Sequence, residues 1–294
     1  MLLGALEAGG TKMVLSLGDE NGNITERTSL PTTTPEETMP RIIDFFKQYD
    51  IDALGVGSFG PVDLDENSPT YGYITTTPKL LWGNYPLRPK LIEALGVPVG
   101  FDTDVNVAAI SEHALGAARG LSSCLYVTIG TGVGGGVVID NKILHGLMHP
   151  ELGHMIMRPH PEDPLPEGSC PFHKGCLEGM GSGTAIEARW HQKAATLPDD
   201  HIAWEIEAHY LGQMCANAVL MYSPHRIVLG GGVMHKLHLF PMVRRATQEF
   251  LNGYVKLPEL GERIDEYIVP PALGDNAGAV GALLVAADAL RVAR

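Results

Sequence analysis

Apolar positions along the chain fall first into short runs and then into stretches at helical spacing. Leu3–Glu7, Met13–Leu17 and Ile24–Leu30 predict three strands in quick succession. A helix start follows: Thr34 can cap, Pro35 suits the first helical position, and Glu37 completes a capping box. Met39, Ile42, Ile43 and Phe46 then recur at helical spacing, so this helix lays one face on a core. Ala53–Gly57 and Val97–Phe101 read as buried strands, and a helix is expected from Val105 to about Arg119. The first half therefore runs strand, strand, strand, helix, strand, helix, strand, helix.

Cys124–Ile129 opens the second half as another strand and repeats a pattern already met. LEAGGTKMV (Leu6–Val14) and VTIGTGVGGGVV (Val127–Val138) are both strand, Gly/Thr-rich turn, strand, and Thr11 and Thr131 stand 120 positions apart. One supersecondary unit repeated at that spacing suggests two related domains. From His149 to Gly183 the chain is irregular and rich in Pro, His, Gly and Cys. Helical patterns return over Ala185–Ala195 and Trp204–Tyr222, a strand is expected at Arg226–Leu229, and a small-residue helix from Ala277 closes the chain. No low-complexity linker interrupts this order.

Composition narrows the function. The 294 residues are 45% hydrophobic and 19% charged, which gives an ordinary α/β chain with a sizeable core. Asp and Glu number 34 against 21 Lys and Arg, for a net charge of −13. Such a surface repels phosphate backbones and anionic lipid, so neither nucleic acid nor membrane is expected as a partner. MLLGALEAGG lacks a basic n-region, and no apolar run approaches the roughly 20 residues of a bilayer span; Ala277–Ala287 comes nearest. Four cysteines are too few for a disulfide scaffold. The expectation is a soluble, cytoplasmic protein.

Candidate chemistry sits where the glycines cluster. Gly9, Gly10, Thr11 and Lys12 offer bare backbone N–H groups, a hydroxyl and an ammonium between two strands. Gly130, Thr131, Gly132 and Gly134 do likewise in the second half. Such turns can approach a polyphosphate closely, although each alone also reads as a tight hairpin. The Walker spacing is absent, and a strand follows where a dinucleotide fingerprint wants a helix. Gly230, Gly231 and Gly232 end an apolar strand, where a nucleotide could rest on backbone or a helix could cross closely.

Asp104 stands at a strand end, as either a helix cap or a carboxylate able to take a proton from a hydroxyl. Cys170, His173 and Cys176 form a C-x2-H-x2-C run suited to a tetrahedral ion, with His154 or His160 as fourth ligand. A shell closed by four protein ligands makes such a zinc structural. Glu151 and Glu178 flank this segment and can hydrogen-bond sugar hydroxyls or simply face solvent. Cys124 and Cys215 lie in apolar patterns and read as core.

Taken in order, LEAGGTK, SFGPVD (Ser58–Asp63), TDVN (Thr103–Asn106), IGTGVGGG, HPELGH (His149–His154), CPFHKGCLEG, GSG (Gly181–Gly183) and LGGGVM resemble the ROK family of the actin-like ATPase superfamily. Within it the chain is similar to the bacterial zinc-containing fructokinases. The resemblance covers essentially the whole chain. It implies the two-domain, ribonuclease H-like α/β fold with a cleft between the domains: 1–117 as a smaller domain, 118–277 as a larger one carrying the zinc loop, and 278–294 packing back on the first. It implies ATP with Mg²⁺, structural Zn²⁺, a hexose substrate and a homodimer.

By the same resemblance Asp104 is the general base, and Gly9 to Lys12 with Gly130 to Gly134 hold phosphates. Gly181 and Gly230 to Gly232 contact the nucleotide. Gly60, Pro61, Thr103, Glu151, His154 and Glu178 contact the sugar. His154, Cys170, His173 and Cys176 bind zinc. Two departures stand out: Glu7 replaces the usual Asp before GGTK, which affects metal-water placement, and Thr103 replaces an Asn, which removes an amide contact to the sugar. Both favour fructose, giving fructose 6-phosphate, over glucose. Mannose, glucose or an N-acetylated amino sugar are the alternative substrates, and a sugar-sensing protein is the non-catalytic one.

Overall fold

A computed structural model describes residues 1–294. In chain order the elements are β1 (Leu3–Ala8), β2 (Lys12–Gly18), β3 (Ile24–Pro31), α1 (Pro35–Phe46), β4 (Ala53–Ser58), α2 (Leu87–Leu95), β5 (Val99–Thr103) and α3 (Asp104–Ala114). There follow β6 (Ser123–Ile129), β7 (Val133–Ile139), β8 (Lys142–Ile143), α4 (Leu177–Gly181), α5 (Gly183–Trp190), α6 (Ala203–Tyr222) and β9 (Ile227–Gly230). The last are α7 (Leu239–Leu251), α8 (Ile264–Tyr267), β10 (Ile268–Val269) and α9 (Ala277–Ala293). The chain separates into two compact units, one made of Met1–Ser111, Leu144–His149 and Asp275–Arg294, the other of Glu112–Ile143 and Pro150–Gly274.

The first unit is built on a sheet of order β3-β2-β1-β4-β5, antiparallel through β3, β2 and β1 and parallel through β1, β4 and β5. One core gathers Leu6, Leu15, Ile42, Phe46, Leu54, Trp82, Leu87 and Phe101 around α1 and α2. Helix α1 begins at the predicted place, with the Thr34 hydroxyl accepting from the Glu37 N–H at 3.3 Å, but the Glu37 carboxylate does not return to the Thr34 N–H, so the cap is one-sided.

A second core joins Leu3, Ala5 and Ala53 to Ala282, Leu283 and Ala286 of α9. The small residues here are a steric requirement. A Cβ at Gly55 would stand 1.8 Å from the Ala282 carbonyl oxygen, and one at Gly281 would stand 1.8 Å from that of Val107. Backbone cannot yield as a side-chain tip can, so overpacking is costly. Gly281→Ala is expected to destabilise the protein by about 3 kcal/mol, the upper end of ordinary overpacking, measured as a lowered urea midpoint. A wild-type midpoint would show that α9 shifts without loss.

The second unit repeats that sheet strand for strand. Its order is β10-β9-β6-β7-β8, with β6 antiparallel to β7 and parallel to β9. The sequence repeat is therefore a repeat of topology: β1-turn-β2 and β6-turn-β7 occupy equivalent places in their sheets. Helices α6 and α7 pack closely, Gly212 facing Ala246.

Three expectations change. Helix α3 stops at Ala114, not Arg119, because the buried Glu112 carboxylate folds the chain back on itself. Its Oε2 accepts from the Ala117 N–H at 2.7 Å and from the Ala272 N–H at 3.0 Å, while Oε1 accepts from Leu273 at 2.8 Å. Helix α5 ends at Trp190, five residues early, where His191 turns left-handed at φ 54°. The 20 residues Gly274–Ala293 are also long and apolar enough, by length and composition, to cross a bilayer, contrary to the expectation that no run approaches this. Here half of that stretch is buried, and α9 lies along β1, β4 and β5.

Candidate functional site

In the first unit the β1–β2 pairing ends at Ala8 and Met13, leaving Gly9 to Lys12 as the turn. Gly9 donates to the Lys12 carbonyl at 3.1 Å, and a Cβ at Gly9 would stand 2.7 Å from that oxygen. Two further carbonyls are tied off by one residue. The Thr32 N–H donates to Thr11 O at 3.0 Å and the Thr32 hydroxyl to Gly9 O at 2.7 Å. The N–H groups of Gly10 and Thr11 have no acceptor in the chain, so the turn presents donors. Just before it, Glu7 is half-buried, with its buried Oε2 lacking a hydrogen-bond partner. Desolvation, offset in part by Arg27 and Lys12, holds its pKa above the ordinary range.

At the carboxyl end of β5, a capping role and a chemical role fall to different residues. The Thr103 hydroxyl accepts from the Asn106 N–H at 3.1 Å, which is the helix cap. Asp104 is therefore not needed for that bond; its Oδ1 accepts from the adjacent Val105 N–H at 2.9 Å. Its carboxylate stands in the first turn of α3. Buried Asp102 braces the junction: Oδ1 accepts from the Thr103 N–H at 2.7 Å and the Asn106 side-chain amide at 2.6 Å. Its Oδ2 lies 2.9 Å from His145 Nε2.

That hydrogen bond is the main cause of a raised His145 pKa, against a lowering by burial. A histidine raised in the folded state adds stability that is full below its unfolded pKa of about 6.5 and fades as pH rises through the folded value. The ring is 42% exposed, so the contribution is under about 1 kcal/mol. His145→Gln is thus expected to lower the melting midpoint by a few degrees at pH 5.5 and hardly at all at pH 9. An equal loss at both would mean that the ion pair adds nothing.

Gly60 and Pro61 follow β4. Pro61 O accepts from both the N–H and the hydroxyl of Thr75, at 2.8 and 3.0 Å. The next N–H, Val62, donates to Nε2 of buried His149 at 3.1 Å, which leaves the His149 proton on Nδ1.

The second unit holds the other turn. Gly183 donates to Gly130 O at 2.7 Å and the Thr184 hydroxyl to Thr131 O at 2.7 Å. Glu178 Oε2 accepts from the Val133 N–H at 3.1 Å, and a Cβ at Gly132 would stand 2.4 Å from that oxygen. Glu178 thus braces the turn, beyond any contact with sugar. Gly134 pairs with Thr128 inside the β6–β7 ladder. Burial, and then the Glu178 carboxylate, push Glu151 up to about 7. At neutral pH Glu151 can therefore both donate to and accept from a hydroxyl. Gly181 ends α4. Gly230 ends β9, and Gly231 takes φ 89°, where a Cβ would stand 2.5 Å from Ile129 O. A 3₁₀ turn, Gly232–His235, follows, and a Cβ at Gly232 would meet open space.

Between these residues in sequence, His154, Cys170, His173 and Cys176 converge: one ligand atom from each lies within 4.8 Å of all the others. Cys176 Sγ is 3.7 Å from His154 Nδ1, and Cys170 Sγ is 3.8 Å from His173 Nδ1. Ligands at about 2.1 Å (N) and 2.3 Å (S) from a tetrahedral zinc stand roughly 3.5–3.8 Å apart, so this S₂N₂ donor set fits zinc. The His160 ring lies elsewhere, its Nδ1 accepting from the Glu162 N–H at 3.1 Å and the ring packing edge-to-face with His209. The irregular segment is further pinned by Asp163, which accepts from Arg189 at 2.7 Å and Tyr210 at 2.6 Å. Asp102, His145, Asp163 and Arg189 carry no spacing signal, although Asp102 adjoins TDVN; His149 opens the HPELGH motif, but nothing in the pattern singles it out.

The sequence profile of the ROK family matches residues 3–289. A fructokinase of Pediococcus pentosaceus is 45% identical over 291 residues, 99% of this chain and 99% of its own length. A fructokinase of Zymomonas mobilis is 45% identical over 293 residues, 97% of this chain and 96% of its own. Among solved structures, the ROK hexokinase of Thermus thermophilus superposes with a TM-score of 0.79 at 29% identity, covering 99% of this chain and 100% of that one. A ROK glucokinase of Streptomyces griseus, solved with glucose and AMPPNP, superposes at 0.75 with 26% identity over 98% of this chain and 100% of its own. The chain belongs to the ROK family and is built on the two-domain actin-like ATPase fold of its sugar kinases.

Proposed function

We propose that this protein is an ATP-dependent fructokinase, which transfers the γ-phosphoryl group of Mg-ATP to fructose and yields fructose 6-phosphate. The observation that carries the reading is similarity to fructokinases across nearly the full length of both chains. The site chemistry agrees with it. Phosphoryl transfer needs in-line positioning and dispersed positive charge, with little covalent work by the protein. The Gly9–Lys12 and Gly130–Gly134 turns supply backbone donors to phosphate oxygens, and Lys12 supplies an ammonium. Asp104 takes the proton of the attacking hydroxyl while Gly60, Pro61, Thr103, Glu151, His154 and Glu178 orient the sugar. Gly181 and Gly230 to Gly232 support the nucleotide.

Mg²⁺, arriving with ATP, neutralises charge on the phosphates. Glu7 is the acid whose unpartnered Oε2 would serve it. A zinc held by His154, Cys170, His173 and Cys176 would keep the sugar-binding segment in shape. The cytoplasm, where ATP is supplied, is the site of action.

ADP formation measured with Mg-ATP against fructose, mannose, glucose and N-acetylmannosamine tests the proposal. Fructose is expected to lead. Turnover led by another sugar would discard fructose and keep the kinase, and no turnover with any sugar would discard the kinase.

A further inference from the structure

The donor-rich turn of the first unit carries a cation that its own sequence does not supply. A Cβ at Gly10 would stand 3.2 Å from Cε of Lys79, so the Lys79 stem lies across the turn at its barest residue. Two anchors hold it there. Its loop starts from Thr75, bound to Pro61 O, and ends at Trp82, whose buried indole N–H donates to Thr33 O at 2.7 Å. The Trp82 N–H also donates to Lys79 O at 2.7 Å, and Lys79 N–H to the Thr77 hydroxyl at 3.2 Å. Thr32 and Thr33 are adjacent, so one connection pins the turn through Thr32 and the Lys79 loop through Thr33.

Charge around this point favours an anion. The Lys79 ammonium forms no ion pair and stands on an exposed loop beside Leu80 and Leu81, 86% and 69% exposed. Lys12 opens β2 on the same turn. Glu7, one nearby acid, is half-buried and held toward its neutral form. Arg27 is already engaged by Asn276 and the Asp275 carbonyl. Two unsatisfied N–H groups and the Lys79 stem thus meet at Gly10, with Lys12 on the same turn; of the nearby carboxylates Asp275 is exposed and acts on Glu7, and the turn itself presents donors and positive charge to an arriving polyanion.

We propose that Lys79 is a second phosphate-binding cation of the Gly9–Lys12 turn, engaging the phosphoryl group under transfer. The identity of that group rests on the kinase reading; the phosphate site does not. A lysine bound there adds charge at the reacting end, and through Thr75 and Pro61 its loop ties the phosphate turn to the loop expected to hold sugar.

Lys79→Met, Lys79→Arg and Gly10→Ala should be compared with wild type and with Lys90→Met, a distant exposed lysine paired to Glu93. Two readouts are needed: the Kd for inorganic tripolyphosphate by calorimetry, and kcat/KM for fructose with Mg-ATP. Lys79→Met is expected to weaken tripolyphosphate about tenfold, as one lost charge-assisted hydrogen bond does, and to lower kcat/KM about a hundredfold, the scale set by losing one transition-state donor. Lys79→Arg should restore most of the binding, Gly10→Ala should lose part of it by displacing the Lys79 stem, and Lys90→Met should lose none.

The Lys79 side chain is exposed and unpaired, so its loss leaves the fold intact, and an unchanged melting midpoint checks this. Tripolyphosphate binding equal in wild type and Lys79→Met, or absent from wild type, would overturn the proposal. Sugar-independent wild-type activity with Lys79-dependent tripolyphosphate binding would overturn the kinase reading alone and sustain the phosphate site.

Discussion

Asp104→Asn is expected to cut fructose-dependent ADP formation by about 10³-fold or more while leaving the affinities for ATP and sugar within a few-fold of wild type. General base catalysis accounts for about 10²–10⁴ in rate, and an amide of the same shape cannot accept the proton. The change is otherwise mild, because the helix cap belongs to Thr103 and remains in place. Losing a charge at the start of α3 costs only about 0.3–1 kcal/mol. Steady-state kinetics with calorimetric binding of each substrate separates the two effects. Near-normal kcat would remove Asp104 from the role, and loss of binding in proportion to rate would make it a positioning residue.

Freshly purified protein is expected to contain one zinc per chain, and stripping it is expected to lower the melting midpoint by about 10 °C. Structural zinc supplies folding free energy directly, about 10–16 kcal/mol in isolated fingers at neutral pH. Here part of the segment is held independently, by the Asp163–Arg189–Tyr210 network and by Ser169 on Gly179. A residual loss of about 3–5 kcal/mol at about 2–4 °C per kcal/mol gives the shift. Cys176→Ala should approach the effect of chelation, since this thiol is buried and its backbone bridges Ile156. Acid should release the metal, because protonated imidazole and thiol do not ligate. Elemental analysis and a melt with and without chelator are the measurements. Metal-free protein that melts at the same temperature would end the claim.

Legibility tracked how local each cause is. Thr34, Pro35 and Glu37 announce α1 because a cap is made by neighbours in sequence. For the same reason the Cys170-x2-His173-x2-Cys176 spacing announces a Cys/His cluster able to hold a metal. The fourth ligand was open between His154 and His160 on spacing alone; the fold brings in His154 and packs the His160 ring against His209. The end of α3 was misjudged because it is set by Glu112 reaching Ala272 and Leu273, some 160 residues away. Helix α7 was not predicted at all, although Leu239, Phe240, Val243 and Leu251 form a buried face. Asp102, His145 and Lys79 were invisible for a different reason: nothing in a linear pattern says that Lys79 returns to Gly10.

The first unit is written at both ends of the chain, with α9 laid against β1 and β4. On a ribosome, β1 to β5 emerge first and then wait while the entire second unit is translated. Until α9 clears the exit tunnel, the face formed by Leu3, Ala5 and Ala53 has no cover. A chain that stops short within α9 therefore leaves part of this hydrophobic sheet face exposed, whatever the state of its second unit.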